Sequence, residues 1–324
     1  MRLPIKRRPV SAGIIRHLKE FEPHFATVVR PAASRISKPV LKVIEAGGKR
    51  LRPALVMIAA DVGDDVDEDQ LMRACSAVEL VHLASLVHDD VLDASNTRRG
   101  VSTINAECGR RRAVIIGDYL FGLAFDLLAA GNDNGLIEPL AKASVELSSG
   151  ELRQRQTLRR LDQSVDDYLE KIYAKTAALF VAACAMGLRL AGLGSEYERV
   201  LEDYAGSLGM AFQIYDDILD FTGDEDVLGK PVGSDIREGT VTLPMIYALS
   251  LEKRGSVGAA LADPTPEAVE AAIESVLASG AIDEAKKVAR RYVETAQAAA
   301  AALPESLSRR DMISLGNFVI DRYH

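Results

Sequence analysis

The stretch LVHDDVLDASNTRRG, residues Leu86–Gly100, sets three aspartates, Asp89, Asp90 and Asp93, at the end of an apolar segment. Helical spacing would put Asp89 and Asp93 on one face, with Asp90 offset by about 100°. Like charges about 4 Å apart repel by roughly 1 kcal/mol in water and by roughly 4 kcal/mol at a partly buried site. The stretch therefore predicts a helix that ends in three mutually repelling carboxylates.

A second stretch, FQIYDDILDFTGDEDVLGK at Phe212–Lys230, repeats the arrangement with Asp216, Asp217 and Asp220. One such cluster is more often a solvated helix end, but two copies, each closing an apolar helix, favour a shared site. If the two helix ends face each other, six carboxylates converge. Oxygen ligands without His or Cys favour Mg²⁺ over zinc or copper, and Mg²⁺ commonly joins a few carboxylates to substrate phosphates.

Helical periodicity extends over almost the whole chain, without a convincing series of period-2 strands. The predicted helices are Gln70–Asp93, Arg112–Ala130, Leu136–Leu158, Val165–Leu190, Glu196–Phe221 and Thr265–Leu303, the last broken near Gly280. Several are longer and more apolar than a surface helix, so we expect an all-α fold, a single large helix bundle. Because no Pro/Ser-rich linker divides the chain, we expect one domain over residues 1–324, with 1–12 as a loosely ordered N-terminal arm.

The overall charge and the cysteines exclude some classes of protein. A net charge of −8 argues against a general nucleic-acid binder. Cys75, Cys108 and Cys184 lack metal-ligand spacing and are interpreted as reduced thiols of a cytoplasmic protein. The basic start lacks the apolar region of a secretory signal, and the longest nearly uncharged apolar run is too short to span a bilayer. We therefore expect a protein without a transmembrane segment.

Basic residues could supply the partner of a bound anion. The segment GGKRLRP holds Lys49, Arg50 and Arg52 at a Gly-rich helix start, where backbone N–H groups and cations suit a phosphate. Lys175 interrupts an otherwise apolar helix, and a nearby anion would explain an ammonium that is costly to bury. His82, two turns before the first aspartate, is interpreted either as a core histidine or as a substrate contact.

Taken in order, GGKRLRP, DDVLD with RRG, KT, FQIYDDILD with GKPVGSD, and EGTVTLP resemble the trans-isoprenyl diphosphate synthases, the polyprenyl synthetase family. The resemblance covers about Ser37 to Tyr323. It implies an isoprenoid synthase-type fold with helices around a central cavity, a homodimer, and Mg²⁺, with three ions per active site. The implied reaction is head-to-tail chain elongation, in which an allylic diphosphate ionises and isopentenyl diphosphate attacks the carbocation.

The resemblance also implies roles for individual residues. The metal ligands would be Asp89, Asp93 and Asp216, supported by Asp90, Asp217 and Asp220. The contacts to the allylic diphosphate would be Arg98, Lys175, Thr176, Gln213 and Lys230, with Lys175 also counted as catalytic. The contacts to isopentenyl diphosphate would be Lys49, Arg52, His82 and Arg99. Thr240 stands where many members have a lysine after EG, so we expect weaker or altered allylic binding without loss of activity.

Product length is predicted from the residues one turn before Asp89, which are Ala84 and Ser85. Short-chain members of the family tend to place a bulky aromatic there as a floor. Both residues here are small, which predicts a product longer than farnesyl diphosphate, within C20 to C50, although small residues can equally mean close helix packing. The chain would then stop deeper, near Val81 or around Phe121 and Phe125.

Three alternative interpretations belong to other classes. A class I terpene cyclase shares one DDxxD site but usually has a different second motif and needs no isopentenyl diphosphate pocket. An HD-type phosphohydrolase is suggested by His88 in VHDD. It would need more metal-binding histidines, and a chain with five His fits that requirement poorly. The chain could also be one subunit of a heteromeric synthase; both aspartate clusters are intact, which favours a catalytic subunit over a non-catalytic one.

Overall fold

A computed structural model describes residues 10–30, 34–63, 65–98, 100–131, 134–193, 196–223, 231–252 and 255–321. The chain divides into two compact units. The first comprises Met1–Ser144, Leu179–Glu202 and Ala300–Leu315. The second comprises Val145–Ala178, Asp203–Ala299 and Gly316–His324. The described residues are mainly helical, which confirms the predicted all-α fold class.

The first part of the chain forms six helices and one short hairpin within the described residues. These are α1 (Ala12–Val29), α2 (Ser34–Glu45), α3 (Leu51–Ala60), α4 (Glu68–Leu92), β1 (Thr97–Arg98), β2 (Val101–Ser102), α5 (Ile104–Cys108) and α6 (Arg110–Ala130). Helix α4 is buried along most of its length and packs against α3 and α6. Helices α4 and α6 are antiparallel, because His88 lies against Gly117 while Arg73 lies near Gly131.

The described residues that follow α6 are mainly helical and include a π-helical turn. Their elements are α7 (Asn134–Gln156), α8 (Val165–Ile172), a π-helical turn (Tyr173–Ala177), α9 (Ala178–Leu190), α10 (Glu198–Thr222), α11 (Ser234–Glu238), α12 (Leu243–Glu252), α13 (Ser256–Ala262), α14 (Pro266–Ala278), α15 (Ala281–Ala301) and α16 (Leu307–Asp321). Helix α8 begins at a capping box formed by Ser164 and Asp167. Gly280, with φ of 82°, separates α14 from α15 at the predicted break.

Two local features differ from the sequence expectation. Residues 1–9 of the predicted arm lie outside the described residues, but Ser11 already caps α1, and its backbone N–H donates to Asp311 at 2.7 Å. The predicted helix Val165–Leu190 is interrupted by the π-helical turn. The residues on either side keep helical periodicity, so one extra residue per turn leaves little trace in the sequence.

Among the described residues, three helical stretches are apolar enough by length and composition to cross a membrane, contrary to the expectation from the longest uncharged run. They are Glu68–Leu92, Arg110–Ala130 and Val165–Leu190. In the first and third, 78% of the apolar window is buried within the protein, so packing accounts for its composition. Only 33% of the window in α6 is buried, and its Ile115 is 61% exposed.

Candidate active site

The first aspartate motif lies at the C-terminal end of α4. The backbone N–H of Asp93 donates to the carbonyl of Asp89 at 2.8 Å, which places these residues one turn apart on the same face. Both are partly exposed, whereas Asp90 is only 4% exposed. Arg98 of the hairpin donates from Nε to Oδ1 of Asp90 at 2.8 Å. The motif thus presents two carboxylates and uses the third to hold the hairpin.

Burial and the arginine act in opposite directions on Asp90. Burial raises the pKa of the Asp90 carboxyl, the Arg98 guanidinium lowers it, and the net pKa lies above its ordinary value. The backbone carbonyl of Asp90 also accepts from the N–H of Ser95 at 3.0 Å. Asp90 is therefore a fixed support for the turn that follows α4.

The second motif, at the end of α10, also divides into accessible and buried acids, with one accessible and two buried. Asp216 is partly exposed, while Asp217 is 6% exposed. The hydroxyl of Tyr168 donates to Oδ2 of Asp217 at 2.6 Å, and Nε2 of Gln213 donates to Oδ1 at 2.8 Å. Burial raises the pKa of Asp217 to about 6, against the opposing effect of these two donors.

Asp220 is fully buried and fixes the chain beyond the motif. Its Oδ2 accepts from the backbone N–H of Asp235 at 2.9 Å, and its backbone carbonyl accepts from Gly233 at 2.7 Å. Gly233 has φ of 75°, a conformation that favours glycine. Asp220 therefore acts as a support for the segment that begins α11.

The segment EGTVTLP is also held by backbone contacts within the second unit. The N–H of Thr240 donates to the carbonyl of Asp235 at 2.8 Å. The buried Lys171 donates from Nζ to the carbonyl of Val241 at 2.9 Å. The predicted effect of Thr240 on allylic binding stays a prediction.

Two predicted diphosphate contacts, Thr176 and Gln213, are joined to the second motif. The Thr176 hydroxyl donates to Oε1 of Gln213 at 2.7 Å, so the Gln213 amide accepts from Thr176 and donates to Asp217. The π-helical turn and α10 are thereby linked by side chains. Sequence reasoning did not identify Tyr168, the second donor to Asp217, because its partner lies in another helix.

Lys175 has the anionic neighbour that its apolar surroundings suggested. Its Nζ donates to Oε2 of Glu151 at 2.6 Å, and Nε of Arg155 donates to Oε1 of the same carboxylate at 2.9 Å. The sequence signal available for Glu151 was Gly150, an isolated glycine inside a helical pattern, which often marks a close approach.

The basic segment at the start of α3 divides into structural and accessible cations. Arg50, buried and with φ of 48°, pairs with Glu22 at 3.0 Å and Glu79 at 2.7 Å. Burial lowers the pKa of Arg50, but the two carboxylates together raise it by more. The net pKa lies above its ordinary value. The charge of Arg50 is therefore paired with two glutamates. The sequence interpretation of GGKRLRP as a phosphate site stays a prediction.

Lys49 and Arg52, on either side, are partly exposed, and the Arg52 guanidinium lies 5.1 Å from the centroid of the Phe180 ring. A cleft in the first unit is lined by residues that include Gly47, Arg50, Glu79, His82, Asp90 and Arg98. His82 is partly exposed in this cleft, which favours the ligand interpretation over a core histidine. Arg99 and Lys230 lie outside the described residues.

The residues predicted to control product length are buried in α4. Ala84 is fully buried, and the Ser85 hydroxyl donates to the carbonyl of His82 at 2.8 Å. The ring of Phe121 lies 5.9 Å from the ring of His88, next to Asp89. Phe125 is one helical turn further along α6. That the product ends near Val81 or around Phe121 and Phe125 stays a prediction.

His88 itself faces α6. Its Nε2 lies 3.2 Å from the carbonyl oxygen of Val114 and 3.5 Å from Oδ1 of Asp118, and Gly117 leaves space for its ring. A side chain at Gly117 would collide with the imidazole. His88 is therefore used in helix packing, which does not favour the HD-type hydrolase.

The all-α fold and the two motifs, each with accessible and supported carboxylates, define an isoprenyl diphosphate synthase class of protein. Residues 33–276 match the model of the family described as "Polyprenyl synthetase", and the chain belongs to this family. It is accordingly a prenyltransferase.

Individual relatives extend the comparison. The chain is 39% identical to heptaprenyl diphosphate synthase component 2 of Geobacillus stearothermophilus, over 86% of this chain and 87% of the relative. It is also 39% identical to the all-trans-nonaprenyl-diphosphate synthase (geranyl-diphosphate specific) of Rhodobacter capsulatus, with the same coverage. The crystal structure of a polyprenyl synthase from Caulobacter crescentus, complexed with calcium and isoprenyl diphosphate, has a TM-score of 0.88 and 33% identity, over 98% of this chain and 100% of that one.

Proposed function

We propose that the protein elongates an allylic diphosphate with isopentenyl diphosphate by Mg²⁺-dependent, head-to-tail 1'-4 additions, giving an all-trans polyprenyl diphosphate longer than C15. The observation that carries this proposal is the division within both aspartate motifs. Asp89, Asp93 and Asp216 keep accessible carboxylates, while the other three acids are buried and held by named donors.

The accessible acids fit Mg²⁺, since all three offer carboxylate oxygens and none offers the imidazole or thiolate that zinc and copper prefer. Asp89, Asp93 and Asp216 would hold the metal, with three ions per active site when diphosphate is bound. The ions would offset the negative charge that develops on the departing diphosphate. Calcium in the Caulobacter crescentus structure supports a divalent cation in this family.

The chain's own cations would orient the two substrates. Lys175, Thr176, Gln213 and Lys230, with Arg98, would contact the allylic diphosphate. Charges that are fixed in advance stabilise the leaving group more than mobile ones, and the described members of this set already have hydrogen-bond partners.

Isopentenyl diphosphate would bind at the Gly-rich segment through Lys49, Arg52, His82 and Arg99. The cleft that includes Gly47 and His82 supports this assignment. Apolar walls such as the buried length of α4 would keep water from the carbocation. We assign the final deprotonation to the departed diphosphate.

We further propose that the product exceeds C15 because Ala84 and Ser85 leave the wall of the cavity open one turn before Asp89. The heptaprenyl and nonaprenyl names of two relatives support a long product. Ala84→Phe should shorten the product, because the new ring would meet the growing chain early. Ala77→Phe, about two turns deeper on α4, should stop the chain later. An unchanged product distribution in both variants would contradict the assignment.

For assembly, we propose a cytoplasmic homodimer. The apolar exposed side chains Val114 and Ile115 of α6 offer a surface that a second copy would cover. A heteromeric synthase is the second candidate, favoured by a relative that is named component 2. Light scattering of the purified chain tests the mass, and activity without any second protein tests its self-sufficiency.

The direct test incubates the purified chain with isopentenyl diphosphate, Mg²⁺ and each of dimethylallyl, geranyl, farnesyl and geranylgeranyl diphosphate, and then sizes the products. We expect a series of chains that grow by five carbons. Cyclised hydrocarbons would instead indicate a terpene cyclase, and released phosphate without elongation would indicate a hydrolase. Inactivity that a second protein rescues would indicate the heteromer.

A further inference from the structure

Helix α7 meets the π-helical turn (Tyr173–Ala177) at a glycine. A Cβ at Gly150 would lie 2.9 Å from the backbone nitrogen of Lys175 and 3.0 Å from Cβ of Ala174, both closer than ordinary contact. The absence of a side chain therefore allows α7 to approach the backbone of this turn. Such π turns inside α-helices are rare and occur frequently at functional sites. The approach sets the next residue of α7, Glu151, beside Lys175.

The Glu151 carboxylate bridges two cations. Oε2 accepts from Nζ of Lys175 at 2.6 Å and Oε1 accepts from Nε of Arg155 at 2.9 Å, and the Glu151 side chain is only 12% exposed. Burial raises the pKa of the Glu151 carboxyl, but Lys175 and Arg155 together lower it by more. The net pKa lies below its ordinary value. Glu151 therefore carries its charge at neutral pH.

A third cation lies close to this bridge. Lys171, one turn before Lys175, is buried; burial and, less strongly, the charge of Lys175 lower its pKa, against the opposing effect of Asp217 and Asp235. The like charges of Lys171 and Lys175 repel each other, and the four flexible carbons of a lysine side chain would let the ammonium move away. Glu151 opposes both effects because it attracts Lys175 from the side of α7.

We propose that Glu151 is a positioning residue for Lys175, which it holds in place, together with Arg155, before the allylic diphosphate binds. The inference rests on the proposed function, because it assigns Lys175 to the allylic diphosphate. Glu151 acts through Lys175 and touches no reacting atom. Its contribution is an ammonium whose direction is fixed when leaving-group charge develops.

The test compares Glu151→Gln with the wild-type enzyme. The variant keeps the side-chain shape but loses the charge, so kcat for the first addition should fall by about tenfold or more, as misplaced groups at active sites do. The site also becomes more positive by one charge. The KM for the allylic diphosphate and the Kd for inorganic pyrophosphate, measured by calorimetry, should therefore stay level or decrease.

Two further variants and a control test whether kcat changes separately from substrate binding. Glu151→Asp retains the charge and should recover part of the lost kcat. Gly150→Ala forces α7 away from the turn and should lower kcat in the same way as Glu151→Gln. The control is Glu170→Gln, which removes an exposed carboxylate paired with Arg153 at 3.3 Å in the same unit and should leave kcat unchanged.

Several outcomes would overturn the inference. A wild-type kcat in Glu151→Gln would overturn it. So would a loss of pyrophosphate-binding sites in that variant by the same factor as the loss of kcat, because this would indicate a purely structural role. If Glu151→Gln does not fold, Gly150→Ala with wild-type kcat would reject the inference. A wild-type enzyme that does not elongate would overturn the proposed function itself.

Discussion

The two aspartate motifs have the same sequence pattern but different support. In the first motif, the buried acid Asp90 is held by the cation Arg98 at 2.8 Å. In the second, the buried acid Asp217 is held by the neutral donors Tyr168 and Gln213 at 2.6 and 2.8 Å. The same DDxxD spacing is thus stabilised by an ion pair at one site and by uncharged hydrogen bonds at the other.

This difference has a physical consequence for each motif. An ion pair with a partly exposed arginine weakens as salt screens it. Buried hydrogen bonds to neutral groups are little affected by salt. At Asp217 burial outweighs these donors and the charge of Lys171, so the pKa is raised to about 6. The first motif should therefore respond to ionic strength and the second to pH.

The largest effect is expected at the accessible acids, where both motifs should behave alike. Asp89→Asn and Asp216→Asn should each lower kcat about 10²–10³-fold, because each removes a charge that would act on the leaving group. Steady-state elongation assays measure the loss. Asp118→Asn and Asp166→Asn, both exposed, serve as controls in the same unit as Asp89 and Asp216 respectively. Wild-type kcat in either motif variant would exclude that motif from catalysis.

The next effect is expected at Tyr168. Tyr168→Phe removes the hydroxyl that donates to Asp217, and a buried carboxylate oxygen without its donor costs about 1–3 kcal/mol of unfolding free energy. Urea unfolding should give the same loss at low and high salt. Tyr247→Phe, at a half-buried site in the same unit, is the matched control. A loss that disappears in high salt would contradict the neutral-donor interpretation.

A smaller effect is expected at Arg98. Arg98→Met breaks a pair in which the arginine is partly exposed, and such pairs contribute about 1 kcal/mol or less. The loss in unfolding free energy should shrink as sodium chloride is added. Arg73→Met, which breaks an exposed pair with Asp69, provides the reference for a surface pair. A salt-independent loss would indicate that Arg98 stabilises the hairpin by packing instead.

The last prediction concerns the pH dependence of the metal-free protein. Because the pKa of Asp217 is about 6 in the folded protein and 3.8 ordinarily, the folded state binds a proton between these values that the unfolded state releases. The stabilisation from position 217 is therefore present below about pH 4 and is lost as the pH rises through about 6. Thermal unfolding with EDTA should show that Asp217→Asn lacks this loss. A parallel pH profile in the two proteins would contradict the raised pKa.

The helix positions were predictable from the sequence because buried faces recur with helical spacing. Helix α4 begins within two residues of its predicted start, and α14 and α15 separate at Gly280 as predicted. The partners of the site residues were less predictable. Glu151 and Tyr168 lie 24 and 49 residues from Lys175 and Asp217, and periodicity within one helix does not indicate contacts with another. The convergence of the two motifs on one site stays a prediction.

The fixed conformation of Arg50 affects how much backbone entropy is lost in each reaction cycle. Two carboxylates of the protein itself, Glu22 and Glu79, hold this residue, so the shape of the GGKRLRP segment is set by contacts within the fold. The loss of backbone entropy is then incurred once, when the protein folds. An enzyme that adds many five-carbon units in succession would avoid repeating that loss with every new molecule of isopentenyl diphosphate.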